Sequence, residues 1–135
     1  VPRKKKKEVS HYYKRGVCST PIYHDVWDSP AFRVLSLKAR CLLLELQKLE
    51  FPNRNGRIGL SETNAAKLLG CSANTASVAF EELLEVGFIQ RSFDGDYSIG
   101  RASEWAITYL PVNGREATHD WKNYAPKKQK VGHKN

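Results

Sequence analysis

GCSANTASVAFEELLEVGFI, residues 70–89, is the stretch whose reading decides the fold. Gly70 closes the segment before it, as a glycine just past a helix C-terminus does. Ser72 then offers an N-cap hydroxyl to a new helix. Ala76, Ala79, Phe80 and Leu83 recur at i, i+3, i+4 and i+7, the period of a helix with one buried face. Gly87 ends that helix after Val86. The opposite face carries Asn74, Ser77, Val78, Glu81 and Glu85, flanked by Ala73 and Thr75. From Gly70 to Ile89 there is no Lys or Arg, and there are three Glu.

Outward from this segment, Ser61 caps a shorter helix over Glu62–Leu69, and Ser36 caps a longer one, LKARCLLLELQKLE, over 37–50. Ser29-Pro30 reads as an N-cap followed by proline at the first helical position. Asn55-Gly56 marks a turn before a short strand, Arg57–Leu60. FIQRSF (88–93) and EWAITYL (104–110) read as two strands, joined by a loop whose turn signal is Asp94-Gly95. Residues 11–28 form an extended lead-in expected to pack through Tyr13, Ile22, Tyr23 and Trp27, and THDWKNY (118–124) holds one short helical turn. The 37–50 helix is apolar on two sides. Leu37, Cys41 and Leu44 lie on one, Ala39, Leu42, Leu43, Leu46 and Leu49 on the other, with Lys38/Glu45 and Arg40/Gln47 as narrow polar strips. Such a helix is expected to be buried. It is either sandwiched between the core and the N-terminal segment or used in a homodimer interface.

At 135 residues and 41% hydrophobic content, the chain suits one domain with its own core. Cys18, Cys41 and Cys71 are odd in number and widely spaced, which argues against a disulfide framework or a zinc site and for small apolar filler in a reducing cytosol. No apolar run is long enough for a membrane span. The N-terminus lacks the apolar region of a secretory signal. There is no Met, so an initiator Met has been removed or lies outside this sequence. Cys18, His24 and Asp25 are near one another, but no oxyanion site, P-loop, HExxH or carboxylate cluster accompanies them, so an enzyme is not expected. Neither a cofactor, a metal nor a small-molecule ligand is implied.

The formal charge of +8 points to a polyanionic partner. Its distribution is uneven. Residues 1–15 carry a net +6 and residues 122–135 a net +5, whereas 16–121 carry a net −3.

Two short helices separated by Gly70-Cys71-Ser72, with a β-hairpin directly after, resemble the winged helix-turn-helix. The likeness rests on Leu68-Leu69-Gly70, Ser72, Thr75-Ala76, Glu82-Leu83 and Val86-Gly87-Phe88-Ile89, and it spans about residues 36–110. With DSPAFRVLS before it and ASEWAITYLP after it, the chain is similar to small helix-turn-helix proteins of bacterial phages, plasmids and integrative elements. In that group NNG often stands where this chain has Asn53-Arg54-Asn55-Gly56. The resemblance implies a mainly α fold with a small β-hairpin wing (α+β), binding double-stranded DNA in the bacterial cytosol or nucleoid. Four parts are expected: a basic arm (1–15), the lead-in (16–35), the winged helix-turn-helix domain (36–111) and a C-terminal extension with a basic tail (112–135).

A recognition helix touches base edges mainly with its N-terminal part. Here that part is Ser72, Ala73, Asn74, Thr75, Ser77 and Val78. Asparagine can pair with adenine, and small apolar groups can meet a thymine methyl. Backbone or minor-groove contacts are expected from Arg3, Lys4, Lys5, Lys6, Lys7, Lys14 and Arg15 in the arm and from Lys127, Lys128 and Lys130 in the tail. Within the domain, Arg54, Arg57, Arg91, Tyr97 and Arg101 are the candidates. The role implied is regulating transcription, or directing replication or recombination. The alternative is a protein-docking module that meets nucleic acid only through its tails.

Overall fold

The structure is a computed structural model and describes residues 18–126. Two single-turn helices open it, α1 (His24–Trp27) and α2 (Pro30–Arg33). Three main helices and a sheet follow: α3 (Leu37–Glu50), β1 (Ile58–Gly59), α4 (Glu62–Leu69), α5 (Ala73–Val86), β2 (Ile89–Phe93) and β3 (Glu104–Ile107). The architecture is mixed α+β, with the strands in the order β1-β3-β2 and both pairings antiparallel.

The helix ends follow local chemistry. The hydroxyls of Ser29, Ser36, Ser61 and Ser72 each accept the N–H of the residue three positions on, satisfying one otherwise orphaned donor. Gly70 and Gly87 stand in the left-handed region at the C-termini of α4 and α5, with φ of +66° and +88°. In the lead-in, His24–Trp27 is helical, contrary to an extended course, because Trp27 and Asp28 N–H groups donate back to Tyr23 and His24 carbonyls. Of its expected anchors, Ile22 is half-buried, while Tyr23 and Trp27 stay partly exposed, Tyr23 edge-on to Tyr109 and Trp27 stacked on Phe32. Tyr13 lies outside the described residues. The strands are shorter than their apolar patterns. β1 holds two residues, and β3 ends at Ile107, where the chain turns and Leu110 N–H donates to the Ile107 carbonyl.

One core joins these elements. Ala39, Leu42, Leu43 and Leu46 of α3 meet Ala76, Ala79, Phe80 and Leu83 of α5, with Ile58, Ile89, Trp105 and Ile107 from the sheet. Phe80 stacks on Trp105, centroids 4.6 Å apart, and the Trp105 indole N–H donates to the Leu60 carbonyl. Trp121, in a 3-10 turn over Asp120–Asn123, stacks on Phe88 and joins the same core. Among the described residues α3 is buried on one side only, and neither expected cover of its other side, the N-terminal segment before residue 18 or a second copy, lies among them. Leu37 is 74% exposed, Cys41 is exposed and Leu44 only half-buried, because α5 and the sheet pack against one side alone. The polar strip is also misassigned in part. Gln47 is buried, donating to the Pro21 carbonyl and accepting the Tyr109 hydroxyl proton. Cys18 and Cys41 are exposed rather than apolar filler, while Cys71 packs half-buried against the core. No helix among the described residues is long and apolar enough to cross a membrane.

Candidate nucleic-acid interface

α5 is held by its back. Ala76, Ala79, Phe80, Leu83 and Val86 are buried, so the opposite surface is presented on a fixed scaffold. On that surface Ser72, Ala73, Asn74, Thr75 and Val78 are exposed, Val78 by 54%, and Ser77 is half-buried. Two of these side chains already have work within the fold. Ser72 Oγ accepts the Thr75 N–H as the N-cap, and the Ser72 and Thr75 hydroxyls share a hydrogen bond of 3.0 Å. Ala73, Asn74 and Val78 form the uncommitted front. Asn74, Val78 and Glu81 follow one another at i, i+4 and i+7, so they share a stripe along the helix.

The three glutamates of the segment separate by role. Glu81 and Glu85 are exposed. Glu82 reaches across to α3, where Oε1 accepts the Ser36 N–H at 2.9 Å and Oε2 accepts the Ser36 hydroxyl at 2.6 Å. A capping box would take that N–H with a Glu or Gln three residues into α3. The residue there is Ala39, so the carboxylate comes from another helix. At the same corner Lys38 Nζ donates to the Leu69 carbonyl, placing a cation at the negative end of α4. Lys38 and Glu82 thus tie α3 to both other main helices.

A groove of about 460 Å³ opens between the β2–β3 hairpin and the start of α4, with Ala73 of α5 at its edge. Ala73, Glu62, Arg91, Asp94, Asp96 and Arg101 are among its lining residues. Arg91 lies over the Trp105 ring, 4.9 Å from its centroid, and pairs with Asp94 at 3.5 Å. Arg101 lies over Phe93 and pairs with Glu104 at 2.9 Å. Both hairpin cations therefore face an acid and an aromatic ring. At the tip, Asp96 Oδ1 accepts from the N–H and the hydroxyl of Ser98, which holds its carboxyl below the usual carboxylate range. That tip is anionic and turned in on itself, and Asp96 organises the turn rather than Asp94-Gly95. Tyr97 opens a 3-10 turn in the same loop, and its side chain lies outside the described residues.

The predicted contacts are thus brought together only in part. Ala73, Arg91 and Arg101 line one groove, and Ser72, Asn74, Thr75, Ser77 and Val78 do not line it. Arg54 and Arg57 are exposed before β1, and neither lines that groove. Arg3, Lys4, Lys5, Lys6, Lys7, Lys14, Arg15, Lys127, Lys128 and Lys130 lie outside the described residues. The described body holds eleven Lys/Arg against thirteen Asp/Glu, a net −2, so the chain's excess positive charge belongs to its two ends. Among the described residues no group of three His, Cys, Asp or Glu is placed to hold a metal ion.

Sequence reasoning missed Asn55. It is 2% exposed. Its Oδ1 accepts the Ile107 N–H at 2.6 Å, and its Nδ2 donates toward the carbonyls of Ile107, Leu110 and Pro111 at 2.9, 3.0 and 3.1 Å. This amide fixes the end of β3 and the turn that follows. The Asn55-Gly56 pair carried only a turn signal, since the four backbone groups it meets are 52 or more residues away. No family model, curated protein or solved structure matches the chain.

Proposed function

We propose that the chain is a sequence-specific double-stranded DNA-binding protein built as a winged helix-turn-helix. In this reading α4 and α5 are the two helices, the β2–β3 hairpin is the wing, and the front of α5 enters a major groove. One observation carries it: a small, neutral, exposed helix front (Ala73, Asn74, Val78) stands on a rigid core beside a hairpin, in a chain whose cations are concentrated at its ends. The front suits base edges, and the ends suit phosphates. Glu81 and Glu85 sit further along α5, where the helix would leave the groove. The resemblance to phage and mobile-element proteins extends the proposal to transcriptional regulation, or to replication or recombination at a defined site.

A second reading, a winged module docking on another protein, is favoured by one observation. The hairpin arginines are already closed on Asp94 and Glu104, and the described body is net anionic. The test is binding to a pool of random duplexes at two salt concentrations, for the full chain and for residues 18–126. The DNA reading expects an enriched motif from the full chain, and a large affinity loss with a shallower salt dependence on trimming, since the slope counts neutralised phosphates. Absence of DNA binding by the full chain would leave the docking module. The symmetry of an enriched motif would also report whether two copies bind.

A further inference from the structure

We propose that α5 reads A·T pairs. Asn74 takes one adenine through N6 and N7, while Ala73, Val78 and the methyl of Thr75 meet thymine methyls beside it. This deepens the DNA-binding reading above and rests on it.

The inference follows from which donors the fold leaves available. Guanine is read in the major groove by a fork of two donors aimed at N7 and O6, supplied by Arg or Lys. No Lys or Arg lies between Gly70 and Ile89, and the nearest arginines in the groove are held over Trp105 and Phe93 against Asp94 and Glu104. The hydroxyls of Ser72 and Thr75 do not make a fork either. One of their two O–H groups is spent on the bond between them, and Ser72 Oγ also caps α5. Between them at most one hydroxyl donor remains, Thr75 keeps its methyl to offer, and the half-buried Ser77 adds a single hydroxyl, not a fork. Glu81, about two turns beyond Asn74, only accepts, which suits neither N7 nor O6 of guanine; it could meet only a cytosine amine, and it sits where α5 would leave the groove. The one side chain on the front with both a donor and an acceptor on a planar end is Asn74. It is exposed, and its neighbours Ala73 and Val78 are apolar. A carboxamide matches the N7 acceptor and N6 donor of adenine, and apolar groups match the 5-methyl of thymine.

A cationic arm in a narrow minor groove also favours A·T sequence, so the test must separate the two grooves. The full-length chain is used to enrich a motif from random duplexes. Its affinity is then measured on that site with 7-deazaadenine, which lacks the major-groove N7, at each adenine in turn. The expected result is one adenine whose 7-deaza form weakens binding about fivefold or more, in line with the discrimination of a bidentate pair. Asn74→Ala should be insensitive to that replacement, and Asn74→Arg should move the preference at that one pair from A·T to G·C. Asn74 is exposed, so both variants should keep the wild-type circular dichroism. A motif built on G·C pairs, or one indifferent to 7-deazaadenine and to Asn74→Arg, would overturn this inference and leave sequence-specific binding intact. DNA binding with no enriched motif would instead remove the reading on which it rests.

Discussion

Replacing Asn55 by Ala should be among the costliest single changes in this protein. The substitution removes four hydrogen-bond contacts inside a site that is 2% exposed, and it leaves the Ile107 N–H buried without a partner. A buried group left unsatisfied costs about 1–3 kcal/mol, and the lost donations to the Leu110 and Pro111 carbonyls add to it. A total of about 3 kcal/mol is expected. With an unfolding entropy of about 2.1 cal/mol/K per residue over the roughly 110 described residues, each kcal/mol lowers Tm by about 4 °C. The predicted drop is therefore about 12 °C, measured by thermal circular dichroism, with urea unfolding as the second probe. Asn55→Asp sharpens the argument. It keeps the acceptor for Ile107 N–H but turns the donor toward three carbonyls into another acceptor. At neutral pH it should be at least as damaging as Ala despite its near-identical shape. Its carboxyl pKa should be raised in the folded state, so the variant should gain stability as pH falls and protonation restores a donor. A loss below about 1 kcal/mol for Ala, no more than an ordinary single substitution, or an Asp variant as stable as wild type, would refute the pinning role.

Three further outcomes are expected. Glu82→Ala should cost about 1 kcal/mol by removing the acceptor shared by the Ser36 N–H and hydroxyl, while Glu81→Ala and Glu85→Ala should be nearly neutral in urea titrations; equal effects at all three would deny Glu82 its role. Gly87→Ala should destabilise clearly more than Gly70→Ala. Both glycines have positive φ, but a Cβ on Gly87 would lie 2.9 Å from the Asp120 backbone and one on Gly70 would meet nothing within 4 Å. Burial raises the Tyr109 hydroxyl pKa, and this hydroxyl donates to Gln47 Oε1. A raised folded pKa is stabilising below the unfolded value near 10 and is lost above it, by about 1.4 kcal/mol at pH 11. Tyr109→Phe should therefore cost about 1–2 kcal/mol at pH 7 and approach wild-type stability near pH 11; a difference independent of pH would contradict this.

Much of the local structure could be read from residue order because its causes are local. Ser36, Ser61 and Ser72 cap helices that begin one residue later, and α3 and α5 span the residues their apolar periods mark. The buried face of α5 follows from the same period. The second side of α3 stays open among the described residues. Its apolar period was present, but Leu37 and Cys41 have no described element against them. Periodicity states which residues share a face; it does not state how many faces find a partner. Gln47 and Asn55 were illegible for a related reason, since a polar residue looks solvated until the backbone groups it serves are brought to it.

The candidate interface divides the same way. The sequence by itself determined the inventory of the α5 front, its lack of cations, and the concentration of positive charge at the two ends, because these depend on helical period and composition alone. The tertiary structure decided which of those groups remain free. It gave Glu82 to α3, closed Arg91 on Asp94 and Arg101 on Glu104, and set Gly87 against Asp120 while leaving its twin Gly70 in open space. The Glu82–Ser36 and Gly87–Asp120 approaches join groups far apart in the chain, so distance in space decides them, whereas the two arginine pairs are i,i+3 neighbours that the hairpin backbone turns toward each other.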